Sequence, residues 1–188
     1  VEAEFENEIL FPVRGKSCST VAMPSLAKKF NTFHAFAGSE LDQIYAKDRL
    51  EQAGKFQCDN LESGVLWNQG SGHFEFQALP SIVQMAPVQG VVLTDLNADG
   101  NPDIVLSQNF YNPQFETGPY AGGVGAAVLG DGKGGFIPLH PHESGVLLRG
   151  DPRGLDLIDL DGDGIGDLLC PLNNGPLVWQ KGKAQPSQ

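Results

Sequence analysis

Two short acidic stretches, 64 residues apart, constrain this chain more than any other feature. They read "DLNADGNPD" (Asp95–Asp103) and "DLDGDGIGD" (Asp159–Asp167). In both, oxygen-bearing side chains stand at positions 1, 3, 5 and 9, with glycine at position 6 (Gly100, Gly164). The flanks repeat too. Val91 and Leu93 align with Leu155 and Leu157 before the stretches. Ile104, Val105 and Leu106 align with Leu168, Leu169 and Cys170 after them, and Asn109 aligns with Asn173. A fixed period of this size is the mark of a repeated structural unit.

A second feature repeats with nearly the same period. "GVLWNQGSGHFEFQALP" and "GAAVLGDGKGGFIPLH" each read as strand, tight turn, strand. Aligned on Phe74 and Phe136, Gly70 matches Gly132 and Gly72 matches Gly134, an offset of 62. Each unit therefore reads strand, acidic loop, strand, connection, strand, glycine turn, strand. Four antiparallel strands in that order make one β-propeller blade. The expected fold class is all-β, built of such blades as a partial or assembled ring, with an N-terminal helical segment. On this reading the chain carries two strands of one blade (about 64–80), a full blade (about 90–141) and three strands of another (about 153–181). A closed ring takes roughly four to eight blades. The chain would then be a fragment of a longer protein, a unit that assembles with further copies, or an open stack with covered ends.

The loops have the chemistry of a hard-cation site. Ca²⁺ takes six to eight oxygens at about 2.3–2.6 Å. Alternate oxygen side chains on a tightly curled loop converge on one point, and a glycine after the third ligand permits the bend. The first loop offers Asp95, Asn97, Asp99, the backbone of Asn101, and Asp103. The second offers Asp159, Asp161, Asp163, the backbone of Ile165, and Asp167. No soft ligand is present, which disfavours zinc and copper. The helix-loop-helix calcium hand ends in a bidentate Glu at position 12. Here position 12 is Leu106 or Cys170 and the flanks are strand-like. Metal-free Asx-turns are the alternative, but three or more like charges in one loop repel unless a cation screens them.

These residues together resemble the FG-GAP/VCBS repeat, a family that includes the integrin α-subunit propeller and many bacterial secreted proteins. The resemblance rests on "DLNADGNPDIVLSQNF", "DLDGDGIGDLLCPLNN" and the turns "LWNQGSGHF" and "LGDGKGGF", and spans roughly residues 64–181. The opening "FPVRGKSCSTVAMPSLAKKF" is similar to a segment found beside such repeats in bacterial members. The resemblance implies two Ca²⁺ ions, each bracing a β-hairpin loop, with no catalytic role. It implies a module that adheres to or binds another molecule.

The first sixty residues differ. "MPSLAKKFNTFHAFAGSELDQIYAKDRLEQAG" reads as helices, with Pro24 at a first helical position. Ser39 is a candidate N-cap before Leu41, Ile44 and Tyr45, and Gly54 a stop. The expected organisation is 1–62 as an extended plus helical segment, 63–181 as repeats and 182–188 as a tail. A Cys18–Cys58 disulfide would clip the helical part in an oxidising compartment. Cys170, on a strand, reads as a small buried apolar residue. "RGD" at Arg149–Asp151 and "HPHE" at His140–Glu143 read as connection and exposed turn rather than as adhesion and metal motifs. Trp67 and Trp179 read as packing residues. The polar-aromatic loop Tyr111–Gly123 is the first place to seek a ligand site beyond calcium.

Composition narrows the classes. The chain carries 23 acidic and 12 basic residues for a formal net charge of −11, and seven of those acids lie in the two loops. Two bound divalent cations would bring −11 to −7. The excess acid disfavours nucleic acid and anionic membranes, and no apolar run reaches the length of a span. With 24 glycines and 13 prolines, about a fifth of the chain favours turns between short strands. The start at Val1 reads as a mature form or a cut fragment. No nucleophile elbow, phosphate loop or spaced His–carboxylate set supports catalysis. The expected function is a calcium-binding module of an extracellular, periplasmic or cell-surface protein, not an enzyme, engaged in adhesion or protein binding. The partner would be a protein or glycan, and the chain a homo-oligomer if it is not a fragment. A lectin-like propeller and a non-catalytic part of a secreted enzyme are the alternatives.

Overall fold

The computed structural model describes residues 1–115 and 117–182. The chain divides into two compact units, Val1–Asp59 and Asn60–Gln188. Most of the 182–188 tail lies outside the described residues.

The first unit opens with a hairpin of β1 (Ala3–Glu6) and β2 (Ile9–Pro12). Its two turn residues, Asn7 and Glu8, both take positive φ (49° and 68°), as a type I′ turn requires. Five short helices follow: α1 (Lys16–Ala22), α2 (Ser25–Lys29), α3 (Phe33–Ala37), α4 (Leu41–Tyr45) and α5 (Lys47–Gln52). The expected single helix after Ser39 is two helices. Ala46 sits at φ 65° and ψ 123° and breaks it. The cap is Glu40 rather than Ser39. Glu40 and Gln43 close a reciprocal capping box, while the Ser39 hydroxyl donates back to Ala35 O at 2.8 Å. Helices this short depend on packing for stability. Leu26, Phe30, Phe36 and Ile44 supply it, with Tyr45 alongside. Phe30 and Phe36 meet edge to face at 5.4 Å.

The second unit is built of sheets. A hairpin joins β3 (Gly64–Gly70) and β4 (His73–Ala78). An antiparallel meander follows: β5 (Val88–Thr94), β6 (Asp103–Gln108), β7 (Ala126–Gly130) and β8 (Phe136–Leu139). After a helical turn, α6 (Pro141–Ser144), comes a three-stranded sheet in the order β11-β10-β9. Its strands are β9 (Asp156–Ile158), β10 (Asp167–Pro171) and β11 (Leu177–Gln180).

The repeat is visible as register. Leu93 pairs with Ile104, and Leu157 with Leu168. Asn68 pairs with Phe74, and Gly130 with Phe136. Strand β6 is buried along its whole length. Ile104 and Leu106 face a cluster with Leu79, Val83, Ala126 and Val128. Val105 faces the opposite cluster with Val92, Ala127, Val146, Leu148, Leu168 and Cys170. That second cluster joins the meander to the three-stranded sheet. Each fully buried aliphatic side chain contributes about 1.5–3 kcal/mol.

The all-β propeller expectation is corrected. Among the described residues the fold is mixed, 19% helical and 33% strand, with four separate sheets of two to four strands and no closed barrel or propeller. The period dictates pairing within a unit, but it does not dictate how the sheets pack, and the helices α1 to α5 make the first unit largely helical. The hairpin β3–β4 leaves Leu66, Phe74 and Phe76 exposed rather than covered by a further sheet.

Candidate metal centre

Each acidic loop joins two paired strands, β5 to β6 and β9 to β10. The loops fold by closely related hydrogen bonds, which differ at one place: the second donor to the position-1 carboxylate is the N–H of position 5 in the first loop and of position 4 in the second. At position 1, Asp95 accepts from the N–H groups of Asp99 (3.1 Å) and Gly100 (2.9 Å). Asp159 accepts from Gly162 (2.7 Å) and Gly164 (2.9 Å). Positions 3 and 5 form Asx-turns. Asn97 Oδ1 accepts from Asp99 N (3.1 Å) and Asp99 Oδ1 from Asn101 N (2.8 Å). Asp161 Oδ1 accepts from Asp163 N (3.3 Å) and Asp163 Oδ1 from Ile165 N (2.9 Å).

Position 9 ties the loop to the body of the unit. Asp103 and Asp167 are both 0% exposed. Asp103 Oδ2 accepts from Leu96 N (2.7 Å) and its Oδ1 from Gly130 N (2.8 Å). Asp167 Oδ2 accepts from Leu160 N (3.1 Å) and its Oδ1 from Gly182 N (2.8 Å). Gly130 ends β7, and Gly182 lies just beyond β11, so each carboxylate links its own loop to the third strand of its unit. Only glycine fits there. A Cβ on Gly130 would run into the carbonyl oxygen of Pro102, and one on Gly182 into that of Gly166. Pro102 and Gly166 are both position 8 of their loops.

The loops differ in how closely their acids gather. One ligand oxygen each from Asp159, Asp161 and Asp167 lies within 4.8 Å of the others. Among the described residues no such group of three acids forms in the first loop, where Asn97 replaces an acid at position 3. Asp163 stands apart from the three and shares Lys181 Nζ with Asp161, at 3.0 Å from its own Oδ2. At position 7 the Asn101 side chain lies against Gly132, and Ile165 lies against Gly182.

Asp99, Asp131, Asp163 and Asp167 are held in their ionised form. The Lys181 ammonium and the Ile165 N–H hold Asp163 below the usual carboxylate range. The Gly182 N–H does most to lower Asp167, helped by Leu160 N–H. Asn101 N–H lowers Asp99, and the N–H groups of Lys133 and Gly135 lower Asp131 in the β7–β8 turn. In turn, Asp161 and Asp163 raise Lys181. A carboxyl with a depressed folded value stabilises the fold above the unfolded value, about 3.9 for Asp. That stability is lost as pH falls through the lower folded value. The melting temperature is expected to hold above about pH 5 and to drop as pH falls below about 4. Melts followed by circular dichroism across that range check it. A melting temperature that rises on acidification would be the contrary result.

The donor set suits a hard cation. Every oxygen that a single N–H engages keeps a second lone pair, so the loop bonds orient the carboxylates without exhausting them. Sequence reading missed Lys181, Gly130 and Gly182. Gly130 lies 27 residues after its aspartate and Gly182 only 15, because the connection between second and third strands differs, and that conceals their equivalence.

Asp151 of the RGD tripeptide is 4% exposed. It accepts from Tyr111 N (3.2 Å), Arg153 Nη2 (2.9 Å) and Asn173 Nδ2 (3.0 Å). An integrin ligand needs that carboxylate in solvent, so the tripeptide is a fold element. The exposed His140 and His142 rings stack at 5.5 Å, and Glu143 accepts the His140 backbone N–H to cap α6. Trp67 stacks on Phe136 and gives its indole N–H to Gln77. It lines a cleft of about 800 Å³ with Val65, Phe76, Leu93 and Lys133, within the size range of ligand sites. Trp179 does not line that cleft. Loop Tyr111–Gly123 is closed at its neck by paired bonds of 2.9 Å between Phe110 and Tyr120, and Phe115 stands fully exposed on it. Glu116 of this loop lies outside the described residues. Burial raises the Cys170 thiol, which donates to Gly154 O at 3.4 Å.

No family model matches the chain, and neither a curated protein nor a solved structure shows significant similarity to it.

Proposed function

We propose that the chain is a calcium-braced binding module of the FG-GAP/VCBS type, secreted or displayed at a cell surface, with a protein as its partner and no catalysis of its own. The observation that carries this reading is the duplicated loop. In both copies a fully buried ninth-position aspartate fixes the frame, and exposed carboxylates are left oriented by backbone N–H groups. Such spending of acid on two turns has a simple physical reason if Asp95, Asn97, Asp99, Asn101 and Asp103 surround one Ca²⁺. Asp159, Asp161, Asp163, Ile165 and Asp167 would surround the other. An extracellular setting supplies calcium near the weak affinities of such modules, on the order of 10⁻⁴–10⁻³ M. No helix among the described residues is long and apolar enough to cross a membrane.

Calcium is expected to stabilise the fold by mass action, by about 2.7 kcal/mol per site at a hundredfold excess over the dissociation constant. The melting temperature should therefore rise in calcium and fall back in EDTA. Identical melts in both conditions would sink the proposal.

A further inference from the structure

We propose that Lys181 is a built-in counter-cation of the second loop, which a divalent cation must displace, so that this one residue sets the two loops apart in cation affinity. The inference rests on the cation reading proposed above and specifies how its two sites differ.

Three observations lead to it. The first is position. Lys181 Nζ bonds Asp161 Oδ2 and lies 3.0 Å from Asp163 Oδ2. Asp161 is also one of the three acids whose oxygens converge. The ammonium thus occupies ligand oxygens of the second loop rather than a separate surface.

The second is register. Ile104 pairs with Val128 in the meander, and Leu168 pairs with Gln180 in the three-stranded sheet. Ile104 and Leu168 are equivalent in the repeat, so Val128 and Gln180 are too. The residues that follow are Leu129 and Lys181, and then Gly130 and Gly182, which both donate to the ninth-position aspartate. At the place where the second unit carries a cation, the first carries leucine.

The third is charge. The first loop holds three carboxylates, Asp95, Asp99 and Asp103, whereas the second holds four, Asp159, Asp161, Asp163 and Asp167. Lys181 brings the second back to the net charge of the first. Four acids in nine residues therefore have a resident partner when no metal is bound. Two cations sharing Asp161 repel at such short range. The Lys181 side chain is 54% exposed, so it can leave for water without unpacking the sheet. Affinity in loop sites of this kind is tuned by the count of ligand charge. The second loop of the native chain should therefore bind calcium more weakly than its four acids alone dictate.

The test is a calorimetric titration of the full chain with CaCl₂, comparing the native protein with Lys181→Met and Lys181→Arg. Each is run also in an Asp95→Ala background, which removes the first loop's binding and isolates the second. Lys181→Met is expected to tighten the second loop about tenfold and to leave the first unchanged, while Lys181→Arg keeps the native affinity. If calcium binds and Lys181→Met matches or weakens the native affinity of the second loop, the role of the lysine is overturned and the cation sites stand. If no variant nor the native chain shows calcium binding, both proposals fall together. Circular dichroism of each variant confirms that the comparison is between folded proteins.

Discussion

Asp151→Ala is expected to destabilise the second unit by about 2–4 kcal/mol, because two N–H donors lose their acceptor at about 1–3 kcal/mol each. The carboxylate is 4% exposed and gathers three donors from distant parts of the chain, the N–H of Tyr111 and the side chains of Arg153 and Asn173. Removing it leaves the Tyr111 N–H and the Asn173 amide facing a small cavity. It also removes the ion-pair partner of Arg153, whose guanidinium lies 4.9 Å over the Phe110 ring. Asn109, buried beside this network, donates to Gly123 O and Gly150 O, so the effect reaches the connection between β6 and β7. A fall in melting temperature on the order of 10 °C should follow. Arg149→Ala, on the exposed end of the same tripeptide, should stay within about 0.5 kcal/mol of the native chain. Urea melts of the two variants separate the fold role from an adhesive one. If Asp151→Ala melts like the native chain, the buried network is not what holds this connection.

The second large effect concerns the ninth-position aspartates. Asp103→Ala and Asp167→Ala should each destabilise by about 2–5 kcal/mol in EDTA, before any metal enters the comparison. Each strips the acceptor from two N–H groups, Leu96 and Gly130 in one case, Leu160 and Gly182 in the other. A buried donor left unsatisfied costs about 1–3 kcal/mol. Asparagine does not rescue the site, because its amide presents a donor where the second N–H already points. By contrast, Asp99→Ala removes an exposed carboxylate and should change the EDTA melt by less than about 1 kcal/mol. Equal effects at positions 5 and 9 would contradict the division between a frame that shapes the loop and oxygens left for a cation.

That division shows what the sequence made legible. The loops could be read because their whole pattern lies within nine residues, and the pairing of Leu93 with Ile104 follows from the apolar flanks. The break between α4 and α5 could not, since Ala46 carries no glycine or proline signal for its positive φ. The tripeptide reads as a connection, but the anchoring role of Asp151 stays hidden because its partners, Tyr111 and Asn173, lie 40 and 22 residues away. Lys181 was hidden for a similar reason. Its role depends on the register of β10 with β11, which no local motif announces. The propeller expectation failed at a higher level. A repeat specifies how strands pair inside one unit, but it does not specify how sheets pack on one another, and the described residues form small separate sheets beside a helical unit rather than stacked blades.

We propose above that the two acidic loops hold cations. Counting bound calcium by equilibrium dialysis at roughly 1 mM free Ca²⁺, the weak extracellular range, tests it most directly. Two ions per chain are expected in the native protein, one in Asp95→Ala and one in Asp159→Ala. No bound calcium, or a count that neither substitution changes, would contradict it.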